Sequence, residues 1–480
     1  YRAGYNSCCH RNTFLGACAG YNVNSGRCNV AIGYNVCLPS ASGDHQLAIG
    51  DGTNRWITGN SSFNVGIGTD TDAAVTSANT QKLSVGIVSA YQFYGDASQM
   101  TGAGFNPDAQ NNLVAGTCAG QSLDSDTCFN IILGSCAAQC LNSGDSNIVM
   151  GKQAGNQLTS GCYNIFFGDC AGKNTTTGKY NLALGTSALQ NGTVSGNYNI
   201  AFGNQAGWNV SSGTFNFFGG YKAGYCVSTG NCNIAIGKGS GGGTSNSASS
   251  GSQNVSIGAG AGGEFTSGGC NTFVGFYAGY EDTTGCFNVA MGALAGHQIC
   301  TGSYNIAFGH FAGCDIKTGS SNIMIGQCAG RNRENTSNNI FIGKESGCNA
   351  GTSGNNIGIG VEALKGDGGN HTQNIGIGGK AGANLTDGDH NFFGGYCAGK
   401  GTTTGCYNFA IGNKALGKNT LTGNDNIAIG LESGACATSA PRNIFLGRYS
   451  GKCTVTGQDN VFMGTYAGCN TYAACRSVAI

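Results

Sequence analysis

The 25 cysteines are the side chains of this 480-residue sequence best suited to covalent or metal chemistry. None belongs to a C-x-x-C pair, and none has the Cys/His spacing of a zinc site. We therefore expect no metal site, and nothing in the sequence indicates another cofactor. Most of the cysteines recur at a few fixed points of a repeat. Such recurrence points to a structural role for the thiols.

Four cysteine pairs are candidates for disulfide bonds. Three would cross a polar corner of one repeat. The fourth would join the same site in two successive repeats, where Cα atoms about 5 Å apart suit a disulfide. The pairs are Cys18 with Cys28, Cys118 with Cys128, Cys397 with Cys406, and Cys436 with Cys453. The alternative is that reduced thiols fill a narrow interior. Disulfides would favour an extracellular or virion-surface location.

Two glycine-rich segments are similar to nucleotide-binding loops. Residues 258–263 fit G-x-G-x-x-G, but the sequence after them cannot open a helix to hold a pyrophosphate. Residues 412–419 lack the Ser or Thr of a P-loop. The six histidines share no spacing with carboxylates or a nucleophile, and the 23 acidic residues form no cluster. We therefore expect no catalytic residues and no enzymatic activity.

A short repeat positions all of these residues, and it is clearest at 164–172. Its skeleton is Asn, three mainly apolar residues, Gly, two variable residues, Ala and Gly, followed by a polar stretch. Twenty-one copies begin between Asn112 and Asn460, and fifteen of their twenty spacings are 17 residues. A period this short and strict predicts a solenoid whose coils are stable only when they stack.

The residue types predict an all-β fold, a parallel β-solenoid (β-roll or β-helix) with one main strand in each coil. Glycine density and β-branched or aromatic strand centres exclude helices. We expect glycine at three corners of each coil, because tight corners need positive φ. In three longer repeats a leucine replaces the second corner glycine, and we expect the extra residue to spare it a left-handed conformation. These leucines are Leu189, Leu364 and Leu416.

The Asn that opens each repeat is expected to be structural, since stacked Asn side chains can hydrogen-bond along a solenoid and hold a corner. The clearest run of this ladder is Asn130, Asn147, Asn164, Asn181, Asn199, Asn216 and Asn233. Strand alternation puts Ile165 and Phe167 on one side and Phe166 on the other. We expect one side to fill the coil and the other to meet a close neighbour.

Aromatic residues stand directly before many anchor Asn residues. They are Phe129, Tyr163, Tyr180, Tyr198, Phe215, Phe287, Tyr304 and Tyr407. Such a column could stack against sugars, or it could be a hydrophobic ladder that stiffens the solenoid or packs protomers together. We favour the hydrophobic ladder.

The repeat divides the chain into three stretches. Residues 1–68 carry it with Gln46 in place of one Asn, residues 69–111 lack it, and residues 112–480 carry it to the end. The middle stretch is expected to be an insertion or connecting module, with a strand or hairpin over 81–95. An enlarged loop rich in Gly and Ser is expected at 238–253. Both ends fall in mid-repeat, so we expect a segment of a longer protein.

Charge and hydropathy exclude two classes of partner. Charged residues make up only 10% of the chain and are balanced at 23 basic and 23 acidic, which leaves no net field to attract nucleic acid. No apolar run of about 18 residues is present, so we expect no insertion into a membrane.

Three stretches resemble two known families. Asn-Ile-Ala-Ile-Gly at 233–237 and Ser-Val-Ala-Ile at 477–480 resemble the head repeats of trimeric autotransporter adhesins, which have a shorter period. The stretch 64–104, with Lys-Leu-Ser-Val at 82–85 and Phe-Tyr-Gly-Asp at 93–96, looks like a connecting module of tail-fibre-like proteins of bacteriophages, especially marine ones. The resemblance implies an elongated, often trimeric, surface fibre.

We therefore expect a structural and adhesive fibre shaft, from a phage tail fibre or a cell-surface adhesin that takes part in host attachment. The alternative is a self-assembling extracellular filament subunit. The expected partners are further copies of the chain, as a homotrimer or a filament, and a cell-surface receptor or glycan. Receptor contact is expected at the departures from the period, 69–111 and 238–253.

Overall fold

The computed structural model describes residues 2–52, 54–59, 65–67, 83–85, 107–242, 248–349, 351, 354–366 and 368–480. The chain divides into two compact units, Tyr1–Met100 and Thr101–Ile480. The described ranges contain 28 strands and no helix. The predicted all-β, parallel β-solenoid is therefore confirmed.

The second unit is a single ladder of 22 parallel strands in the described residues, almost all three residues long. They are β7 (Leu113–Ala115), β8 (Ile131–Leu133), β9 (Ile148–Met150), β10 (Ile165–Phe167), β11 (Leu182–Leu184), β12 (Ile200–Phe202), β13 (Phe217–Gly219), β14 (Ile234–Ile236), β15 (Val255–Ile257), β16 (Thr272–Val274), β17 (Val289–Met291), β18 (Ile306–Phe308), β19 (Ile323–Ile325), β20 (Ile340–Ile342), β21 (Ile357–Ile359), β22 (Ile375–Ile377), β23 (Phe392–Gly394), β24 (Phe409–Ile411), β25 (Ile427–Ile429), β26 (Ile444–Leu446), β27 (Val461–Met463) and β28 (Val478–Ala479). Each strand pairs with the strands one repeat before and after it. Each coil thus contributes one strand.

The middle residue of each strand points into the coil. In β10, Phe166 is fully buried, whereas Ile165 and Phe167 are 41% and 54% exposed. Middle residues of successive coils stack into a continuous apolar core, as Phe166, Ala183 and Ala201 do. The side of the strand that fills the coil is therefore the one with the middle, often small residue.

The size of the middle residue is compensated at a second inward-facing position, three residues after the second corner glycine. We call the residue at this position the filler residue. Coils centred on Phe166, Phe393 and Phe445 have Thr175, Thr402 and Thr454 as fillers, and coils centred on Ala290 and Ala307 have Ile299 and Ile316. A large middle residue thus goes with a small filler in these coils, and a small one with a large filler. The pairing keeps the interior volume nearly constant, as close packing requires.

Of the three corner glycines, the first two adopt positive φ and the third does not, as the coil of β10 shows. Gly168 has a φ of 135° and Gly172 a φ of 59°. A Cβ on Gly168 would also lie 2.7 Å from the carbonyl group of Gly185 in the next coil. The third glycine, Gly178, has no positive φ, and its Cβ would lie 2.7 Å from the carbonyl oxygen of Gly196. At this corner close approach of the next coil, rather than φ, is the reason for glycine.

The three leucines at the second corner do not avoid the left-handed conformation, so that prediction is wrong. Leu189, Leu364 and Leu416 have φ values of 50°, 47° and 51°. Each side chain is buried. The Leu364 side chain reaches the next coil, where a Cβ on the middle residue Gly376 would lie 2.9 Å from its Cγ. Filling the space beside a small middle residue offsets the strained backbone.

The first unit begins as the same solenoid and then changes strand direction. Strands β1 (Thr13–Leu15), β2 (Val30–Ile32) and β3 (Leu47–Asp51) are parallel. Strand β4 (Asn54–Gly59) is antiparallel to β3 and to β5 (Val65–Ile67), and β6 (Leu83–Val85) is parallel to β5. The solenoid was expected to extend over 1–68, but in the structure it ends after β3. Gly52, with a φ of 61°, lies in the tight hairpin loop that reverses the chain.

The two expected departures from the period are only partly described. Of the stretch 69–111, the structure describes 83–85 and 107–111, and most of the strand or hairpin expected at 81–95 lies outside the described residues. The loop expected at 238–253 is shorter, because Gly241 and Gly242 still bond to the next coil and Ser249 still bridges to Val227. The four extra residues of this coil therefore fall between Gly242 and Ser249, where 243–247 lie outside the described residues.

Candidate functional sites along the solenoid

The anchor Asn residues form a hydrogen-bonded ladder inside the second unit. The Nδ2 of Asn164 donates to the carbonyl oxygen of Gly178, 2.9 Å away, and so closes its own coil. The same Nδ2 and the Asn164 backbone N–H donate to Oδ1 of Asn147, at 3.1 and 2.9 Å. In turn, Asn164 Oδ1 accepts the backbone N–H of Asn181, 2.9 Å away. Each anchor is fully or almost fully buried, and its contacts are those of a structural residue.

Each unit has its own ladder, which ends at Asp108 in the second unit and at Gln46 in the first. Asp108 accepts the backbone N–H of Asn112 at 2.8 Å and its Nδ2 at 3.1 Å, and so takes the place of an earlier anchor. In the first unit, Gln46 closes its own coil by donating Nε2 to the carbonyl oxygens of Ser40 and Gly43. Its Oε1 accepts the N–H of Ser40 in the same coil. The parallel ladder of the first unit ends at this coil.

All 25 cysteines are free thiols, so none of the four candidate disulfides is present. Cys436 and Cys453 occupy equivalent positions of successive coils, and each donates its backbone N–H to the following coil, to Lys452 O and Cys469 O. Equivalent residues of stacked coils have roughly parallel Cα–Cβ bonds about 4.8 Å apart, whereas a disulfide needs Cβ atoms about 3.8 Å apart. Stacking therefore makes the two cysteines neighbours, but it does not bring their Cβ atoms as close as a disulfide requires.

The other candidate pairs stand in separate columns of the repeat. Cys397 donates its backbone N–H to Gly379 in the preceding coil, and Cys406 donates its own to the Asn424 side chain in the following coil. The pairs Cys18 with Cys28 and Cys118 with Cys128 occupy the corresponding stretches of their repeats. Contacts with different neighbouring coils thus hold Cys397 and Cys406 in place independently.

The aromatic column is a stack of rings in its best-formed part. The centroids of Tyr163, Tyr180, Tyr198 and Phe215 are 4.8–4.9 Å apart, with angles of 2–5° between neighbouring planes. Each ring is about half exposed. Because the ring faces contact one another, only the edges and the two end faces are open. A sugar that stacks on an aromatic ring needs its face, so this geometry favours the hydrophobic ladder.

The two segments similar to nucleotide-binding loops are ordinary corners. Gly258 and Gly262 are the first and second corner glycines after β15, with φ values of 129° and 54°. Gly412 and Leu416 occupy the same two corners after β24. Turns rather than a helix follow each strand. Within the described ranges, no three His, Cys, Asp or Glu side chains are grouped so that they could bind a metal ion.

A buried carboxyl group at Asp282 was missed by the sequence analysis. Asp282 is the filler residue of the coil centred on Phe273 and is fully buried. Its Oδ1 accepts the N–H of Gly285 at 2.9 Å, and its Oδ2 accepts Nδ2 of Asn288 at 3.1 Å. Burial raises the pKa of Asp282 to about 8, although both hydrogen bonds lower it. The signal in the sequence was an acid in a column that is otherwise Thr or aliphatic in most coils.

Arg333 is a second buried ionisable residue in the filler column. Its guanidinium carbon lies 4.3 Å from the ring centroid of Phe341, and its Nε donates to the carbonyl oxygen of Gly347 at 2.6 Å. Burial lowers the pKa of Arg333 to about 9. The side chain thus reaches into the next coil and packs against its middle residue through a cation–π contact.

The outward side of the strands forms a continuous apolar surface. We call the first and third residues of β7–β27 the strand face. All of them are apolar or glycine except Thr272. Side chains of the strand face that are at least 36% exposed are Ile165, Phe167, Phe202, Phe217, Ile234, Ile236, Ile257, Ile306, Phe308, Ile325, Ile359, Ile377, Phe409, Ile411, Ile427, Ile429 and Met463.

These features define the class of the chain as a β-solenoid repeat protein with an internal Asn ladder and an exposed apolar strand face. None of the described residues belongs to a helix that is long and apolar enough to cross a bilayer. Comparison with protein-family profiles, with curated proteins and with solved structures gives no match.

Proposed function

We propose that this chain forms the shaft of an extracellular or virion-surface fibre, as in a phage tail fibre or a cell-surface adhesin that takes part in host attachment. The role is structural and adhesive rather than enzymatic. The observation that carries the proposal is the unbroken register of β7–β28, in which every coil repeats the same strand and corners. At about 4.8 Å per coil, this stack is roughly 100 Å long.

The bonding between coils suits a shaft. Every coil is joined to the next by backbone hydrogen bonds of the strand, such as that from Ile165 N–H to Asn181 O, and by the Asn ladder. These bonds run along the stack, in the direction in which a fibre carries load. The corner glycines allow close approach and so keep the spacing uniform.

We also propose that the fibre contains several copies of this chain. A homotrimer follows from the resemblance to trimeric adhesins, and a filament is the alternative assembly. A receptor or glycan would bind where the coil is enlarged, since stacked coils accept added residues only as outward loops.

Small-angle scattering of the full chain tests the shaft directly. We expect a rod, with a maximum dimension of at least about 100 Å from the stack of coils. A compact, globular scattering profile would contradict the proposal. Electron cryomicroscopy of the intact particle that carries the chain would then show whether the rod projects from its surface.

A further inference from the structure

We propose that the strand face is the surface through which copies of this chain associate, each burying its strand face against that of another copy. The inference rests on the proposed fibre only in taking the shaft to be a homo-oligomer. It names the surface of association, which the sequence pattern does not.

Within the described residues of the second unit, the strand face takes no part in the buried core clusters. Phe167, Phe202 and Phe308 are 54%, 58% and 49% exposed, although each stands in a strand whose middle residue is fully buried. Their contacts within the chain are with the equivalent residues of neighbouring strands, such as Phe167 with Leu184. The core is therefore complete without the outward side chains, and their exposed parts are available to a partner.

The size of the strand face exceeds what a monomer usually exposes. The face is roughly 100 Å long, and two residues of one strand with their side chains cover a width of roughly 10 Å. Its area is therefore on the order of 1,000 Å². The largest apolar patch of a typical monomer is about 300–600 Å², and a stable interface buries about 800 Å² on each partner. This area is enough for a stable association without any other surface.

A second copy fits this surface better than an unrelated protein. The face repeats with the rise of the coil along its whole length, and only another array with the same rise can match it over that distance. The face has no charged residue, and the chain carries 23 basic and 23 acidic residues, so copies do not repel one another. Polar and charged side chains such as Asp169, Asn204 and Lys238 follow the first corner glycine and mark one edge of the face.

Charged substitutions on the strand face test the proposal. The variant Ile236→Glu/Ile325→Glu/Ile411→Glu places three carboxylates on outward positions and leaves the middle residues unchanged. The control Thr229→Glu/Thr318→Glu/Thr404→Glu adds the same charge at exposed positions before the third corner glycine. Mass is measured by light scattering after size exclusion at micromolar concentration, and folding by circular dichroism.

We expect the wild type and the control to be oligomers of the same mass, and the strand-face variant to be a folded monomer or to dissociate at least tenfold more readily. A monomeric wild type would overturn the proposal. So would a folded strand-face variant that keeps the wild-type mass, because association would then use another surface.

A measurement on the wild type keeps the test valid if the strand-face variant fails to fold. Hydroxyl-radical footprinting at increasing protein concentration should show protection of Phe167, Phe202 and Phe308, while exposed Tyr221 and Tyr396, which lie after the first corner glycine, change less. Equal oxidation of the three phenylalanines at all concentrations would overturn the proposal. Rod-like scattering from a monomer would leave the shaft in place and reject this interface. Globular scattering from a chain that associates through the strand face would reject the shaft and leave this interface in place.

Discussion

At the scale of single residues, the anchor position needs a side chain that both donates and accepts hydrogen bonds. Asn216 illustrates the need, because its Nδ2 donates to Gly230 O at 2.8 Å and its Oδ1 accepts Asn233 N–H at 2.9 Å. A carboxylate could only accept, and an aliphatic side chain could do neither. Gln46 can close its own coil but turns its oxygen to Ser40 of that coil. Only the length of Asn suits both bonds at once.

Replacing one anchor should destabilise the coils on both sides of it. In Asn216→Ala, the carbonyl oxygen of Gly230 and the N–H of Asn233 lose their side-chain partner, and we expect a local loss of about 2–5 kcal/mol. Hydrogen exchange of the coils from 199 to 250 measures this loss, because local opening is resolved there. Asn204→Ala, at an exposed Asn of the preceding coil, is the control and should exchange as the wild type does. Equal exchange in both variants would contradict a structural role for the ladder.

Asp282 should make the stability of its coil depend on pH. Its pKa is about 8 in the folded chain, against an ordinary value of 3.8. The folded state therefore holds a proton that the unfolded state releases, and stability falls as pH rises from about 4 to 8, by at most about 1.4 kcal/mol per pH unit. Asp282→Thr, which introduces the filler of other Phe-centred coils, should remove this slope.

Hydrogen exchange of the coils around 271–305, measured between pH 5 and 9 and corrected for the intrinsic rate, tests the pH dependence. Asp126→Thr, at an exposed carboxyl group, is the control and should keep the slope. If Asp282→Thr keeps the same slope as the wild type, the buried carboxyl group is not its source.

At the scale of elements, each coil is one short strand followed by corners with different requirements. Gly220 and Gly219 show the contrast between neighbouring glycines. Gly220 has a φ of 128°, and its Cβ would lie 2.9 Å from Gly237 O. Gly219 is the third residue of β13, has no positive φ, and its Cβ would lie 3.4 Å from the Phe217 ring. Gly220 is required by its backbone conformation, whereas Gly219 lies on the open strand face.

These two glycines give a matched pair of substitutions. Gly220→Ala should strongly destabilise the stack, because the new methyl group combines a strained φ with a contact on the next coil. Gly219→Ala should be tolerated and should change the melting temperature little. Thermal melting followed by circular dichroism measures both. A Gly220→Ala variant as stable as Gly219→Ala would show that the corner is less confined than the structure indicates.

The enlarged coil should tolerate shortening at its extra residues. Deleting 244–247 turns a 21-residue spacing into the usual 17 and leaves the bonded residues Gly242 and Ser249 in place. We expect unchanged circular dichroism and little change in melting, since loop length has a small entropic effect. Deleting 175–178 is the control, because it removes the filler Thr175 and the corner Gly178 and should disrupt the stack. Loss of folding in both deletions would mean that the loop supports the coil.

At the scale of the whole chain, stability is distributed along the array rather than concentrated in cross-links. Each coil contacts its neighbours, so an extended stack gains stability from one interface per coil. Core clusters run through many coils without a break, as the one containing Phe273, Phe341 and Phe445 does. A fold of this kind does not depend on disulfides, and of the 25 cysteines only Cys226, Cys314, Cys348 and Cys397 are buried as small side chains within it.

The state of the thiols can be measured for the chain as a whole. Denatured without reductant and then alkylated, the protein should gain 25 labels by intact mass, because all 25 cysteines are free. The same sample reduced before alkylation is the control and should have the same mass. A shortfall of two labels for each bond without reductant would restore the predicted disulfides, and peptide mapping would identify the pairs.

The sequence by itself determined the architecture, because a solenoid repeats the same physical constraints in every coil. Glycine at a fixed distance from each Asn predicted the corner, apolar residues between them predicted the strand, and the period predicted one coil per repeat. The Asn ladder was foreseeable for the same reason, since stacked identical side chains such as Asn164 and Asn181 meet in any parallel array in register. Each of these inferences used only contacts between the same repeat position in neighbouring coils.

The tertiary structure alone decided features that depend on contacts between non-equivalent positions. Leu364 adopts a left-handed backbone because the space it fills belongs to the next coil, beside Gly376. The antiparallel turn at Gly52 follows a repeat that looks regular in sequence. The burial of Asp282 depends on the filler column turning inward. Alternation along the strand predicted that its side chains point to two sides. The closed coil has room inside for the side chains of one side only, and the strand face is therefore left exposed.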